Sequence, residues 1–207
     1  MSFDHEAFWS ARYRDAGDDY LFGTAPNSFL AAQAGQFGAG MSVLSVADGE
    51  GRNAVWLAEQ GCQVIATEIS PVALAKAAKL ARGRNVVVDF VETDILNWDW
   101  PQDVFDAVVG IFIQFATPAE RPRQLAGMKQ AVKPGGFLFL QGYTPKQLEY
   151  RTGGPSALEN LYTAEMLRES FADWKIVLLR EHEDVITEGS AHVGRSALID
   201  LVARKPD

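Results

Sequence analysis

The chain has 207 residues, of which 47% are hydrophobic and 22% are charged, and its formal net charge is −8. These values predict one soluble globular domain, 1–207, that is large enough for a substantial core. The acidic balance and the lack of a basic cluster argue against a nucleic-acid partner, and a small molecule is the expected ligand.

The single cysteine, the first six residues and the length of the longest apolar stretch further restrict the class of protein. Cys62 is the one cysteine in the sequence, which excludes an intramolecular disulfide and a cysteine-rich zinc site, and we expect it to be a small buried hydrophobe. Met1-Ser2-Phe3-Asp4-His5-Glu6 lacks the pattern of a signal peptide. The apolar stretch Phe105 to Ala116 is too short to span a bilayer. We therefore expect a cytoplasmic protein with no bound metal and no membrane contact, either a monomer or a weak homodimer.

The first forty residues precede the first predicted strand and are rich in aromatic side chains. Within them Phe8-Trp9-x-x-Arg12-Tyr13 has helical spacing. This segment, 1–40, either packs on the sheet of a core over 41–207 or forms a lid over a ligand. Gly17 and Gly23 are candidate hinges for the lid.

The middle of the chain alternates between apolar runs and helical patterns. Val43–Ala47 is a predicted strand, and a glycine turn leads into a predicted helix over Asn53–Gln60, with Asn53 as a candidate N-cap and Gly61 as its terminator. The strand Gln63–Thr67 follows. Ser70 and Pro71 then open a helix over 72–82 as its N-cap and first-turn proline.

The remaining predicted elements continue the alternation. The strands are Val86–Val91, Phe105–Ile111, Phe137–Leu140, Trp174–Leu179 and Ala197–Ala203, and the helices are Pro118–Val132 and Thr163–Phe171, the latter capped by Thr163. Such alternation predicts an α/β fold with a mostly parallel sheet and helices on both faces.

The turn after the first strand has the spacing of a dinucleotide fingerprint, Gly49-x-Gly51-x-x-Ala54. Its two glycines would let the backbone approach a ligand closely. Glu68 ends the second strand, where a carboxylate can accept hydrogen bonds from ribose hydroxyls. The turn and the acid together indicate an adenosine-bearing ligand, and both NAD and S-adenosylmethionine satisfy them.

The residues at the ends of the later strands distinguish between these two ligands. The third strand runs into Thr93-Asp94-Ile95, where Asp94 can accept from the adenine amine and Ile95 can pack on the ring. The fourth strand begins Phe105-Asp106-Ala107, and Lys133-Pro134-Gly135-Gly136 precedes the fifth. Over residues 40–142 this order of parts resembles the class I S-adenosylmethionine-dependent methyltransferases. The resemblance implies a Rossmann-like, seven-stranded sheet with one antiparallel strand.

The flanking stretches resemble small-molecule methyltransferases of the tellurite-resistance type. They are Tyr20-x-Phe22-Gly23-x-x-Pro26-Asn27, Gly49-Glu50-Gly51-Arg52-Asn53, Gly142-Tyr143-Thr144-Pro145 and Glu188-Gly189-Ser190-Ala191-His192-Val193-Gly194. The resemblance implies S-adenosyl-L-methionine as cofactor and a small acceptor such as a thiol or a chalcogen oxyanion. The cofactor-binding residues that it implies are Trp9, Asp48, Gly49, Gly51, Asn53, Glu68, Ile69, Thr93, Asp94, Ile95 and Gly110.

Two positions depart from the family pattern. The family's first motif usually has an acid at the position of Ser45 and a glycine at that of Ala47. We interpret Asp48 as a replacement carboxylate that binds the ammonium of the cofactor's methionyl part. The methyl group of Ala47 would lie near the ligand.

The catalytic residues are not identified by the sequence. No acid or histidine follows the fourth strand in Ile111-Phe112-Ile113-Gln114-Phe115, so an acceptor that is already anionic suits the site, because it needs no general base. Tyr20 and His192 are the candidates, the latter in a loop between the last two strands, whereas His182 is expected at an exposed strand end. An NAD(P)-dependent oxidoreductase and a non-enzymatic nucleotide-binding relative are the alternatives, although no Tyr-x-x-x-Lys pair supports the first.

Overall fold

The computed structural model describes residues 3–207; Met1 and Ser2, part of the stretch expected to lack a signal peptide, lie outside the described residues. The helices are α1 (His5–Asp15), α2 (Ser28–Ala32), α3 (Arg52–Glu59), α4 (Pro71–Gly83), α5 (Arg121–Ala131), α6 (Gln147–Tyr150) and α7 (Ala164–Ser170). The strands are β1 (Ser42–Val46), β2 (Gln63–Glu68), β3 (Asp89–Glu92), β4 (Phe105–Ile111), β5 (Val132–Tyr143), β6 (Lys175–Glu188) and β7 (His192–Arg204).

The seven strands form one mixed sheet in the order β3-β2-β1-β4-β5-β7-β6. Strands β1, β2 and β3 pair in parallel, β4 pairs in parallel with β5, and β7 runs antiparallel to β5. Almost every residue of β1 and β4 is buried, as expected of parallel strands covered on both faces. The predicted α/β class, with its seven strands and one antiparallel strand, is confirmed.

The chain forms two compact units. The first comprises Met1–Trp98 and Glu188–Ala191, and the second comprises Asp99–Thr187 and His192–Asp207. In the first unit α4 packs on α1 and α3, and Val55, Leu80 and Ala81 form an apolar cluster. In the second unit Tyr143 and Leu198 belong to a buried cluster. The single domain with a lid over 1–40 and a core over 41–207 stays a prediction.

Several predicted helix ends are confirmed because they depend on local backbone chemistry. The Ala73 N–H donates to the Ser70 Oγ at 3.2 Å, and Pro71 is the first residue of α4. Gly61, with φ +87°, follows α3, and the Met166 N–H donates to the Thr163 Oγ1 at the start of α7. Cys62 is buried, as expected of a small hydrophobe.

Other boundaries differ from the expected ones. Helix α5 begins at Arg121 rather than Pro118, because the Glu120 carboxylate accepts from the backbone and hydroxyl of Thr117 and closes a separate turn. Strand β3 begins at Asp89 rather than Val86. Strand β5 begins at Val132, five residues before Phe137, and its pairing with β4 shifts there.

The last two strands are longer than the apolar patterns indicated. Strand β6 extends far beyond Leu179. No apolar run marks this extension, because Arg180, Glu181, Glu183 and Asp184 within it are charged and exposed. Strand β7 begins at His192 rather than Ala197. Within residues 3–207, no helix is long and apolar enough to cross a membrane.

Candidate functional site

The turn between β1 and α3 has three residues in the left-handed backbone region. Ala47 has φ +48°, Gly49 φ +63° and Gly51 φ +92°. The glycines adopt this conformation at little cost, whereas an alanine pays roughly 1–2 kcal/mol for it. The departure at Ala47 therefore leaves strain at the position where the family usually has glycine.

Gly51 lacks a side chain for a packing reason. A Cβ atom at this residue would lie 2.7 Å from the Cβ of Ala77 and 2.9 Å from its Cα, on helix α4. From the sequence we expect both glycines to admit a ligand, but the Cβ direction at Gly51 points at helix α4. Gly51 allows the turn and α4 to approach closely.

Gly49 faces helix α1. A Cβ atom at Gly49 would lie 2.8 Å from the Tyr13 hydroxyl, and its N–H donates to the Glu68 Oε2 at 3.0 Å. Tyr13 is 4% exposed, and Trp9 stacks on it with ring centroids 5.9 Å apart. The aromatic residues of α1 therefore lie against the glycine turn.

Asp48 binds the start of helix α3. Its Oδ2 accepts from the Ala54 N–H at 3.3 Å, and its Oδ1 accepts from the Ser45 Oγ at 2.5 Å. Burial raises the pKa of this carboxyl to about 7, against the lowering effect of these two hydrogen bonds. Ser45, which stands where the family has an acid, thus orients the acid three residues later.

Glu68 ends β2 and is held by backbone groups. Its Oε1 accepts from the Ser70 N–H at 2.9 Å, while its Oε2 accepts from Gly49. Burial raises the pKa of Glu68, and the N–H donors of Ser70, Gly49 and Ile69 oppose that shift. A carboxylate has about four acceptor positions, so capacity remains for a ligand hydroxyl.

The end of β3 lies beside Glu68. The Thr93 N–H donates to the Glu68 carbonyl at 3.0 Å. The Asp94 carboxylate accepts from the Leu96 N–H at 3.0 Å and from the Asn97 side chain at 2.7 Å, and Ile95 is buried. The structure therefore brings Gly49, Glu68, Ile69, Thr93 and Asp94 to one edge of the first unit.

Three other predicted site residues have different partners. Asn53 is not the N-cap of α3, because Gly51 holds that position; its Oδ1 instead accepts from the Asn27 N–H at 2.9 Å. A Cβ atom at Gly110 would lie 2.7 Å from the side-chain ends of Ile113 and Met128, and the expected contact of Gly110 with the cofactor stays a prediction. The Tyr20 hydroxyl donates to the Lys76 carbonyl at 3.1 Å.

Two residues that sequence reasoning missed connect this turn to α1. Glu50 is 3% exposed, and its Oε1 lies 2.9 Å from the Lys76 Nζ. The same Lys76 Nζ donates to the Tyr13 carbonyl at 2.9 Å and to the Asp19 carbonyl at 2.8 Å. The only sequence signal was the position of Glu50 between the two glycines.

The turn is strongly acidic. The pKa of Tyr13 is raised well above its ordinary value, first by burial and then by the negative charges of Glu68, Glu50 and Asp48. The charge of Arg12 lowers it, and Glu50 is paired with Lys76. The carboxyl groups of Asp48 and Glu68 are therefore the acidic groups that a ligand at this turn would meet, and they favour a cationic ligand over an anionic one.

The second unit has an aromatic cluster at its strand ends. Phe112, with φ +56°, stacks on Tyr143 at a centroid distance of 4.6 Å, and His192 lies edge-on to both rings at 4.6 and 5.7 Å. Gln114 fixes Tyr143 by accepting from its N–H and donating to its carbonyl. A left-handed backbone at a non-glycine residue such as Phe112 is strained, and strain of this kind is common at functional sites.

Both interior histidines differ from their expected places. His192 is the first residue of β7 and is buried, not part of a loop. His182 lies within β6, and its Nε2 is 2.9 Å from Asp200 Oδ2, so it is not at an exposed strand end. The register of the two long strands, which the sequence did not reveal, decides both positions.

Comparison with known proteins agrees with this geometry. Residues 43–136 match the family model described as a methyltransferase domain. The chain is 32% identical over 105 residues to a demethylmenaquinone methyltransferase of Thermus thermophilus, covering 50% of this chain and 47% of the relative. It is 34% identical over 83 residues to a carboxy-S-adenosyl-L-methionine synthase of Yersinia enterocolitica, covering 39% and 31%. The chain thus spans about half the length of the first of these relatives and a third of the second.

Among the solved structures that resemble nearly the whole chain is one from work on the conversion of a disulfide bond into a thioacetal group during echinomycin biosynthesis. It has a TM-score of 0.80 and 19% identity, and the match covers 98% of this chain and 93% of that one. At this identity the likeness shows the fold alone. The likeness agrees with the seven-stranded α/β fold described above, and the family match over residues 43–136 is to a methyltransferase domain.

Proposed function

We propose that this protein transfers a methyl group from S-adenosyl-L-methionine to a small-molecule acceptor. The observation that carries the proposal is the Asp48 carboxylate bound to the Ala54 N–H at the start of α3. In dinucleotide-binding proteins the pyrophosphate takes this place at the helix N-terminus. A carboxylate already there would repel the pyrophosphate of NAD and attract an ammonium group.

The residues of the first unit fit the other parts of this cofactor. Asp48 would hold the ammonium, Glu68 the ribose hydroxyls, and Asp94 with Ile95 the adenine. The sulfonium of the cofactor supplies the methyl group. The carboxyl groups of Asp48 and Glu68 at the turn suit a ligand that carries positive charge.

The protein's own part in such a transfer is to align the acceptor and exclude water. Trp9 and Tyr13 of α1 would exclude water from the glycine turn, as expected of a lid. His192 remains a candidate for moving a proton, whereas the Tyr20 hydroxyl is bonded to the Lys76 carbonyl of α4.

The acceptor that we favour is a soft anion such as a thiol or a chalcogen oxyanion, as in the tellurite-resistance group. The absence of an acid or histidine from Ile111-Phe112-Ile113-Gln114-Phe115 supports this choice, because an anionic acceptor needs no general base. A cytoplasmic location and a monomeric or weakly dimeric state belong to the same proposal.

The decisive experiment is calorimetry with S-adenosylhomocysteine and NAD side by side, followed by an acceptor screen. We expect binding of S-adenosylhomocysteine and none of NAD; the reverse would favour the oxidoreductase. The screen would contain thiols, halides, chalcogen oxyanions and a demethylmenaquinone, the last because one relative is named a demethylmenaquinone methyltransferase. Cofactor binding without transfer to any of them would favour the non-enzymatic alternative. Glu68→Ala is the control that must weaken binding.

A further inference from the structure

Three stretches that are far apart in the sequence meet in the first unit. Arg52 Nη2, at the start of α3, lies 2.6 Å from Glu188 Oε2, at the end of β6. Both side chains are less than a tenth exposed. Truncating either side chain of such a buried pair leaves the other charge buried and uncompensated, which destabilises the structure around it.

The same two side chains also bind the N-terminal segment. Glu188 Oε1 accepts from the Asn27 Nδ2 at 3.0 Å and from the Ser28 N–H at 3.3 Å. Arg52 Nη1 donates to the Phe22 carbonyl at 3.2 Å. Asn53, next along α3, accepts from the Asn27 backbone.

The residues that follow Glu188 also contact the N-terminal segment, through backbone groups. Residues Glu188–Ala191 connect β6 to β7 and are called the hairpin tip below. A connection this short joins antiparallel strands. The N–H groups of Ser190 and Ala191 donate to the Leu21 carbonyl at 3.0 and 3.2 Å. A Cβ atom at Gly189 would collide with the Leu21 carbonyl oxygen and the Gly23 nitrogen.

We propose that Glu188 is a positioning residue that latches residues 21–28 onto the first turn of α3 and so keeps α1 over the cofactor turn. The latch joins an ion pair, side-chain hydrogen bonds and a close backbone contact, all from one hairpin tip. Its link to cofactor retention rests on the proposed function, whereas its effect on residues 21–28 does not. Opening the latch would let cofactor leave faster.

The test compares two independent perturbations with a matched control. Glu188→Ala removes the ion pair and both hydrogen bonds, whereas Gly189→Ala pushes the hairpin tip away without changing a charge. Asp184→Ala removes an exposed carboxylate from the same strand. Glu188→Gln is the conservative variant, since its amide oxygen can still accept from Asn27 and Ser28.

The first readout is amide hydrogen exchange of the ligand-free protein. In Glu188→Ala and Gly189→Ala we expect the amides of Asn27, Ser28 and Ser190 to exchange about ten to a hundred times faster. The Met166 amide, in the second unit, should not change. Asp184→Ala should resemble the wild type, and Glu188→Gln should lie between.

The second readout is the dissociation rate of S-adenosylhomocysteine by stopped flow, which we expect to rise about tenfold in the same two variants. Uniform exchange increases in both units, or unchanged exchange at Asn27 and Ser28, would overturn the latch. If Glu188→Ala does not fold, Gly189→Ala and Glu188→Gln decide the question. Faster exchange at Asn27 with unchanged dissociation would refute the link to cofactor retention. Failure of the wild type to bind S-adenosylhomocysteine would refute the proposed function instead, and exchange would still decide whether the latch exists.

Discussion

Replacing Asp48 by asparagine separates the cost of burying this carboxylate from its benefit. Its pKa is about 7 in the folded protein, against about 3.9 in an unfolded chain. Because the folded pKa is the higher one, the folded state holds the proton more tightly than the unfolded chain does. The free energy of unfolding is therefore highest below about pH 4, where both states are protonated, and it falls as the pH rises to 7. Three pKa units at about 1.4 kcal/mol each give a cost of about 4 kcal/mol above pH 7.

Asp48→Asn keeps an acceptor for Ser45 or Ala54 and removes the charge. We expect the ligand-free variant to be more stable than the wild type at pH 8 by up to about 4 kcal/mol, with the gain falling to near zero at pH 4. We also expect its affinity for S-adenosylhomocysteine to fall by about ten- to a hundredfold, from the loss of a charge-assisted hydrogen bond. A variant that is more stable but binds less tightly is the signature of a strained functional group.

Urea unfolding at several pH values measures the first effect, and titration calorimetry measures the second. In the wild type, affinity should rise between pH 6 and 7.5 as Asp48 ionises, and binding should release protons near pH 7. Asp184→Asn, on an exposed carboxylate, is the control and should change neither quantity. Lower stability of Asp48→Asn at pH 8 with unchanged affinity would refute the reasoning and leave Asp48 as a simple helix cap.

Four further changes test the site. Glu68→Ala should weaken S-adenosylhomocysteine binding by about ten- to a hundredfold through the loss of ribose hydrogen bonds; an unchanged dissociation constant would remove Glu68 from the site. Gly51→Ala should lower the melting temperature, and adding Ala77→Gly should restore part of it, whereas strictly additive losses would argue against their collision. Ala47→Gly should raise the free energy of unfolding by roughly 0.5–1 kcal/mol by relieving a left-handed alanine, and a loss of stability would contradict that. Deletion of 1–24 should leave a folded protein that binds S-adenosylhomocysteine more weakly and transfers methyl groups poorly; retained turnover would contradict the lid.

The sheet and several helix ends could be predicted because their signals are local. A serine followed by proline at Ser70-Pro71 marks a helix start by its hydrogen-bonding chemistry alone. Gly61 marks a helix end because it adopts a left-handed backbone at little cost. Buried parallel strands such as Phe105–Ile111 appear as unbroken apolar runs.

The predictions that failed depend on residues distant in sequence. Asn53 is a good N-cap by residue type, but the left-handed Gly51 takes that position and Asn53 binds Asn27 instead. His192 was expected in a loop because charged, exposed residues hide the length of β6. The contact of Gly51 with Ala77 has no local signal, because its cause is the approach of α4.

The position of β7 between β5 and β6 bears on how the protein is made. Strands β5 and β6 leave the ribosome earlier, yet neither can complete its pairing until the strand that separates them has been synthesised. During translation β5 and the long, charged β6 therefore each present an unpaired edge. The acidic and basic side chains along β6 would keep this exposed edge from pairing with other nascent chains while it waits for β7.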